Sequence, residues 1–150
     1  MRKKIVRDFS PYEKASVAEQ HADLTDIVEH FVGNPCVHNM CVVDTDNRLL
    51  GMINRKRLFK NLFAHHVAAD SRVSSLFTYL TATTPAQLMF THIFSAAEEE
   101  GIDNVIEMLI EHNLHEIPIL DEQKRVLGML TILRIMQEWL TGKDQMSPGT

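Results

Sequence analysis

DTDNRLLGM (Asp44 to Met52) returns 77 residues later as DEQKRVLGM (Asp121 to Met129). At that offset, residues 38–58 and 115–135 agree at seven of 21 positions: His38/His115, Asp44/Asp121, Arg48/Arg125, Leu50/Leu127, Gly51/Gly128, Met52/Met129 and Arg57/Arg134. Most other pairs set an apolar residue opposite an apolar residue. A duplication of this length means that one small supersecondary unit is built twice.

Working outward, each copy carries the same elements. Leu24, Ile27, Val28, Phe31 and Val32 stand at i, i+3, i+4, i+7 and i+8, as do Ile102, Val105, Ile106, Leu109 and Ile110. Each set is the apolar stripe of an amphipathic helix. The offset here is 78 residues, so one residue is gained or lost in the following loop. Two apolar runs, Met40–Val43 and Leu49–Ile53, flank the polar turn Asp44–Asn47. Ile117–Leu120 and Val126–Leu130 flank Asp121–Lys124 in the same way. Such pairs read as β-hairpins. A second helix follows each hairpin, with Leu58, Phe59, Leu62 and Phe63 matching Ile135, Met136, Trp139 and Leu140. A short strand is predicted before each first helix, at Ser16–Ala18 and at Ile93–Ser95. Each repeat thus reads strand, helix, strand, strand, helix. A unit this small cannot cover both faces of its sheet, but two copies can bury a shared core.

That order resembles the cystathionine-β-synthase-type (CBS) domain, with its pattern h-P-h-h-D, polar turn, h-h-G-h-h, helix. The match is closest from Ile102 to Arg134, where Ile117-Pro118-Ile119-Leu120-Asp121 and Val126-Leu127-Gly128-Met129-Leu130-Thr131 carry it; the first repeat has Cys41 in the place of Pro118. The resemblance implies an α/β fold of the mixed α+β kind: two β-α-β-β-α repeats packed with pseudo-twofold symmetry, a Bateman module. The expected divisions are a first repeat with its N-terminal segment (1–63), a helical linker (64–91), a second repeat (92–141) and a disordered polar tail (142–150). In the linker, Val73, Leu76, Phe77 and Leu80 form a short helical stripe that Asp70 or Ser71 would cap, and Thr84–Met89 reads as a further short helix with Pro85 in its first turn.

The resemblance also implies a regulatory ligand, an adenine nucleotide (AMP, ADP or ATP) or related adenosyl compound, held between the repeats. In the family a Thr or Ser ends the third strand, and an Asp three residues later accepts hydrogen bonds from ribose hydroxyls. Here the first repeat has Asn54 and then Arg57, and the second has Thr131 and then Arg134. A guanidinium donates and cannot accept, which suits phosphate or carboxylate better than a diol. Asn54, Arg57, Thr131 and Arg134 are therefore the candidate ligand-binding residues. They are joined by His92 and Phe94, next to the predicted strand where family members place ligand contacts. Two functions follow. One is a stand-alone sensor of an anionic or adenine-nucleotide ligand that signals to a protein partner. The other is a ligand-free dimeric interaction module. Bulky apolar residues on the last helices, among them Phe59, Phe63, Met136 and Trp139, point to a homodimer.

The rest of the 150 residues narrows the field. The composition, 45% hydrophobic and 23% charged, is that of a globular domain, and a net charge of −5 gives no reason to expect a nucleic-acid partner. No apolar run reaches the ~18 residues of a membrane span. The start lacks the apolar core of a signal peptide, so the expected compartment is the cytoplasm. Cys36 and Cys41 fit neither a disulfide framework nor a zinc pattern. The eight histidines contain no H-E-x-x-H motif; His65 and His66 diverge by about 100° on a helix, and His38 and His115 read as turn or cap residues. Neither a phosphate-binding glycine loop nor a G-x-S-x-G elbow occurs, and the chain is not expected to be an enzyme. Glu98–Glu100 reads as a solvated approach to the helix that starts near Ile102.

Overall fold

The computed structural model describes residues 3–64 and 82–146. The linker stripe from Val73 to Leu80 with its caps, the His65–His66 pair, and residues 147–150 of the expected tail lie outside them. The chain divides into two compact units, residues 16–93 and residues 1–15 with 94–150.

In the first of these units, β1 (Val17–Glu19) leads through α1 (Leu24–Gly33) to β2 (Asn39–Val43), β3 (Leu49–Asn54) and α2 (Arg55–Phe63). The sheet order is β1-β2-β3, with β1 parallel and β3 antiparallel to β2. Asp23 caps α1, its carboxylate accepting from the Thr25 N–H at 2.8 Å. Leu24, Ile27 and Phe31 of the predicted stripe are buried against Met40, Val42, Ile53 and Leu58. Val32, at the edge of the same stripe, is 77% exposed. The linker's last part belongs to this unit: α3 (Pro85–Leu88) buries Leu88 in the same core.

The other unit repeats the plan with β4 (Ala96–Ala97), α4 (Ile102–Glu111), β5 (Glu116–Leu120), β6 (Val126–Thr131) and α5 (Ile132–Met146), in the order β4-β5-β6. The predicted strand at Ile93–Ser95 forms three residues later, where Ala96 and Ala97 pair with Ile119 and Leu120. Helix α5 runs five residues into the segment read as tail, because Lys143, Asp144, Gln145 and Met146 are all compatible with a helix.

The identical ends of the repeated motif do the same work twice. The Asp44 carboxylate accepts from the N–H groups of Asp46 and Arg48 at 2.9 and 3.0 Å, and Asp121 accepts from Gln123 and Arg125 at 2.9 and 2.8 Å. Each turn closes through a left-handed residue, Asn47 (φ 65°) or Lys124 (φ 67°). Each hairpin slips register at one place, between Val42 and Val43 and between Ile119 and Leu120. Met52 and Met129 are both buried.

One expectation is corrected. The N-terminal segment packs with the second repeat, not with the first. Val6 and Phe9, in a 3-10 turn Val6–Phe9, are fully buried beside Ile102, Val105 and Ile117. The Val6 and Arg7 N–H groups donate to the carbonyls of Glu100 and Glu98 at 2.9 Å each. Arg7 pairs with Glu98 and Glu99, and the Tyr12 hydroxyl donates to Glu98 at 2.6 Å. Burial and that hydrogen bond push the Tyr12 pKa up. Glu98 and Glu99 are thus the dock for this segment and not merely a solvated run.

Candidate functional site

In each unit a foreign segment closes the open edge of the hairpin beside the predicted site. Phe90 forms an antiparallel bridge with Met52, with N–H···O bonds of 2.9 Å in both directions; Glu13 bridges Met129, accepting from its N–H at 2.8 Å. Gly51 and Gly128 permit the approach. A Cβ on Gly51 would stand 2.8 Å from the Phe90 carbonyl oxygen, and one on Gly128 would stand 2.8 Å from that of Glu13. Tyr12-Glu13 and Met89-Phe90 are themselves 77 residues apart, so the repeat extends to these edge segments.

In residues 16–93 the structure gathers Asn54 and Arg57. The Asn54 side chain caps α2, accepting from the Arg57 N–H at 2.7 Å. The Arg57 Nε donates to the Leu88 carbonyl, and its guanidinium carbon lies 5.9 Å from the centre of the Phe90 ring. Arg57 therefore fastens the α3 segment over the end of β3. His92 follows two residues after Phe90 and is exposed.

In the other unit Thr131 and Arg134 meet at the head of α5. Thr131 is buried. Its hydroxyl accepts from the Arg134 N–H at 3.1 Å and donates to a Glu13 carboxylate oxygen at 3.2 Å. The Arg134 guanidinium lies 5.4 Å from the Phe9 ring centre and donates to Glu138 at 3.2 Å. Lys4 pairs with the same Glu138. Hydrogen bonds from Lys4 and then Arg134 hold the Glu138 carboxyl below its ordinary range, against the opposing effect of burial. Phe94 is placed differently: half-buried, its ring stacks on His112 at 3.9 Å and packs on the core.

Sequence reasoning missed Glu13, Lys4 and Glu138. The first two sit in the N-terminal segment, whose partner lies more than a hundred residues away. Glu138 stands four residues after Arg134 on one helix, a spacing that does signal a pair. Glu13 matters chemically, because it supplies next to Thr131 the hydrogen-bond acceptor that Arg134 cannot provide.

Among the described residues no group of three or more His, Cys, Asp or Glu side chains could hold a metal ion. No described helix is long and apolar enough to cross a membrane.

The profile of the CBS domain family matches residues 1–64 and 86–140. Solved structures of similar fold include CBSX2 in complex with AMP, with a TM-score of 0.74 at 18% identity over 93% of this chain and 98% of that one. The CBS domain pair of protein MJ0100, in complex with 5′-methylthioadenosine and S-adenosyl-L-methionine, has a TM-score of 0.65 at 18% identity over 93% and 98%. A CBS domain-containing protein from Thermotoga maritima has 0.68 at 20% identity over 91% and 94%. The curated protein sequences contain no match.

Proposed function

Because the chain belongs to the CBS domain family, we propose that it is a non-catalytic regulatory module that binds an adenine nucleotide or a similar hydroxylated anion and reports its presence to a protein partner. The observation that carries this reading is the hydrogen bond from the buried Thr131 hydroxyl to the Glu13 carboxylate at the head of α5, with the Arg134 guanidinium placed over Phe9 and beside Glu138 on the same helix. A ribose presents donors that Glu13 accepts, and a phosphate presents the oxygens that Arg134 binds in a fork. Glu13 is exposed, so its carboxylate can take on new donors. CBSX2 binds AMP, an adenine nucleotide, and the MJ0100 ligands share its adenosine part but carry no phosphate. Cys36 is exposed and Cys41 buried, and two cysteines that form no disulfide suit a reducing cytoplasm.

Calorimetry with adenosine, AMP and ATP tests the reading. AMP or ATP should bind more tightly than adenosine. Arg134→Ala should remove that advantage, and Glu13→Gln should weaken all three. Adenosine binding as tightly as its phosphates, with no loss in Arg134→Ala, refutes it.

A second reading has its own support. Arg134 is already paired with Glu138, Thr131 caps α5, and Arg57 is spent on Leu88. A module so satisfied without ligand works through its surfaces. Phe59, Met136 and Trp139 are each more than half exposed, which supports a homodimer held through helices. If none of the three compounds binds, this reading moves ahead.

A further inference from the structure

The two helix pairs carry matching apolar stripes and opposite charges. On α2, Lys56, Phe59, Lys60 and Phe63 stand at i, i+3, i+4 and i+7, which places them on one face. All four are exposed. The equivalent residues of α5 are Leu133, Met136, Gln137 and Leu140, also exposed but without charge. On α4 the corresponding face holds Asp103, Ile106, Glu107, Ile110 and Glu111, which line a shallow groove. Its counterpart on α1 is Thr25, Val28, Glu29, Val32 and Gly33. Among the described residues, no ion pair involves Lys56, Lys60, Asp103, Glu107 or Glu111. Glu29 is the one carboxylate on the α1/α2 face, set against Lys56 and Lys60, so that face is apolar with a net basic margin, and the α4/α5 face is apolar with an acidic one.

From this asymmetry we infer that the chain associates with a second copy of itself by crossed pairing: the α1/α2 face of one copy seats on the α4/α5 face of the other. The inference rests on the homodimer reading above and specifies which surfaces meet. Were like faces to meet, Lys56 and Lys60 would face their own copies, and so would Asp103, Glu107 and Glu111. Like charges brought together in an interface oppose association. Crossed pairing sets Lys56 and Lys60 against the acidic stripe, while Phe59 and Phe63 cover the apolar residues around Ile110. The apolar stripes supply the attraction, and the charges select the partner face.

Sedimentation equilibrium on charge-reversed chains tests this. Lys56→Glu/Lys60→Glu and Glu107→Lys/Glu111→Lys should each weaken self-association by about tenfold or more. The chain carrying all four substitutions should recover the wild-type dissociation constant, and added salt should weaken the wild-type dimer. All four positions are exposed, so circular dichroism should show every variant folded. Like-on-like pairing predicts otherwise: reversing one face exchanges one self-repulsion for another, leaving each two-substitution chain as tightly associated as wild type. That result overturns crossed pairing while leaving the dimer standing. A wild-type chain that stays monomeric at about 100 μM overturns the dimer and the pairing together.

Discussion

Substituting Gly128 by Ala tests whether the N-terminal segment is seated on β6. The added Cβ would lie 2.7 Å from the Tyr12 Cβ and 2.8 Å from the Glu13 carbonyl oxygen. Carbon atoms in contact are separated by about 3.5–4.0 Å, so something must give way by about 1 Å. Neither neighbour is the free end of a flexible side chain, so the segment itself must lift. Lifting strands the buried Met129 N–H, which donates to Glu13 at 2.8 Å. An unsatisfied buried donor costs about 1–3 kcal/mol, and overpacking costs about 1–3 kcal/mol. The two overlap, because a segment that lifts is no longer overpacked, and the expected loss is about 2–4 kcal/mol. For a chain of this length each kcal/mol shifts the melting temperature by about 2–4 °C. Urea and thermal denaturation followed by circular dichroism measure the loss. The specific signature lies in a cycle with Phe9→Ala, which alone should cost about 3–5 kcal/mol. Once Phe9 no longer anchors the segment, Gly128→Ala has less to displace, so the double variant should fall short of the sum by about 1 kcal/mol or more. A Gly128→Ala loss below about 0.5 kcal/mol, or strict additivity with Phe9→Ala, refutes the reasoning.

Other consequences follow from single contacts. Leu109→Ala should cost about 2–5 kcal/mol in urea midpoint experiments, while Glu107→Ala, exposed on the same helix, should stay within about 0.5 kcal/mol. The Glu138 pKa lies below its ordinary 4.5 in the folded chain, so the stability it contributes is complete above 4.5 and is lost as pH falls through the folded value. Glu138→Gln should therefore flatten the acid side of the stability–pH profile and lower stability at neutral pH. Lys124→Gly, which removes a side chain from the left-handed region, should raise stability by about 0.5–1 kcal/mol, since left-handed backbone costs a non-glycine residue about 1–2 kcal/mol and the greater freedom of glycine in the unfolded chain offsets about 0.4–1 kcal/mol of that.

The duplicated motif made the hairpins and main helices legible, because their signals are local. Apolar periodicity marks α1 and α4, and the Asp-to-Arg turn marks each hairpin. The stripe rule overreached at its margin. Val32 and Ile110 fit the helical spacing, yet both are more than 70% exposed, because the last position of an i+8 stripe has rotated off the core. The N-terminal segment was not legible. Val6 and Phe9 are too few to show a period, and their burial depends on residues about a hundred positions away. The site was half visible. The equivalence of Arg57 and Arg134 follows from the repeat, but their partners come from elsewhere: Leu88 from the short helix read at Thr84–Met89, and Phe90 and Phe9 from segments that bear no motif. Thr131 and Asn54 emerged as helix caps, a role that alignment alone does not distinguish from ligand contact.

The division of one unit between two stretches of sequence also orders events in time. Residues 16–93 are contiguous, so that unit can complete itself while the chain is still being made. Its neighbour cannot, because the first fifteen residues must wait for β6 and α5. At a synthesis rate of roughly 5–20 residues per second, the roughly 120 residues between Tyr12 and the end of β6 take on the order of 6–24 s. For that interval Val6, Phe9 and Tyr12 have no surface to cover them. A nascent chain stalled near residue 100 would thus expose Val6 and Phe9 to proteases and chaperones, and one extended past α5 would hide them.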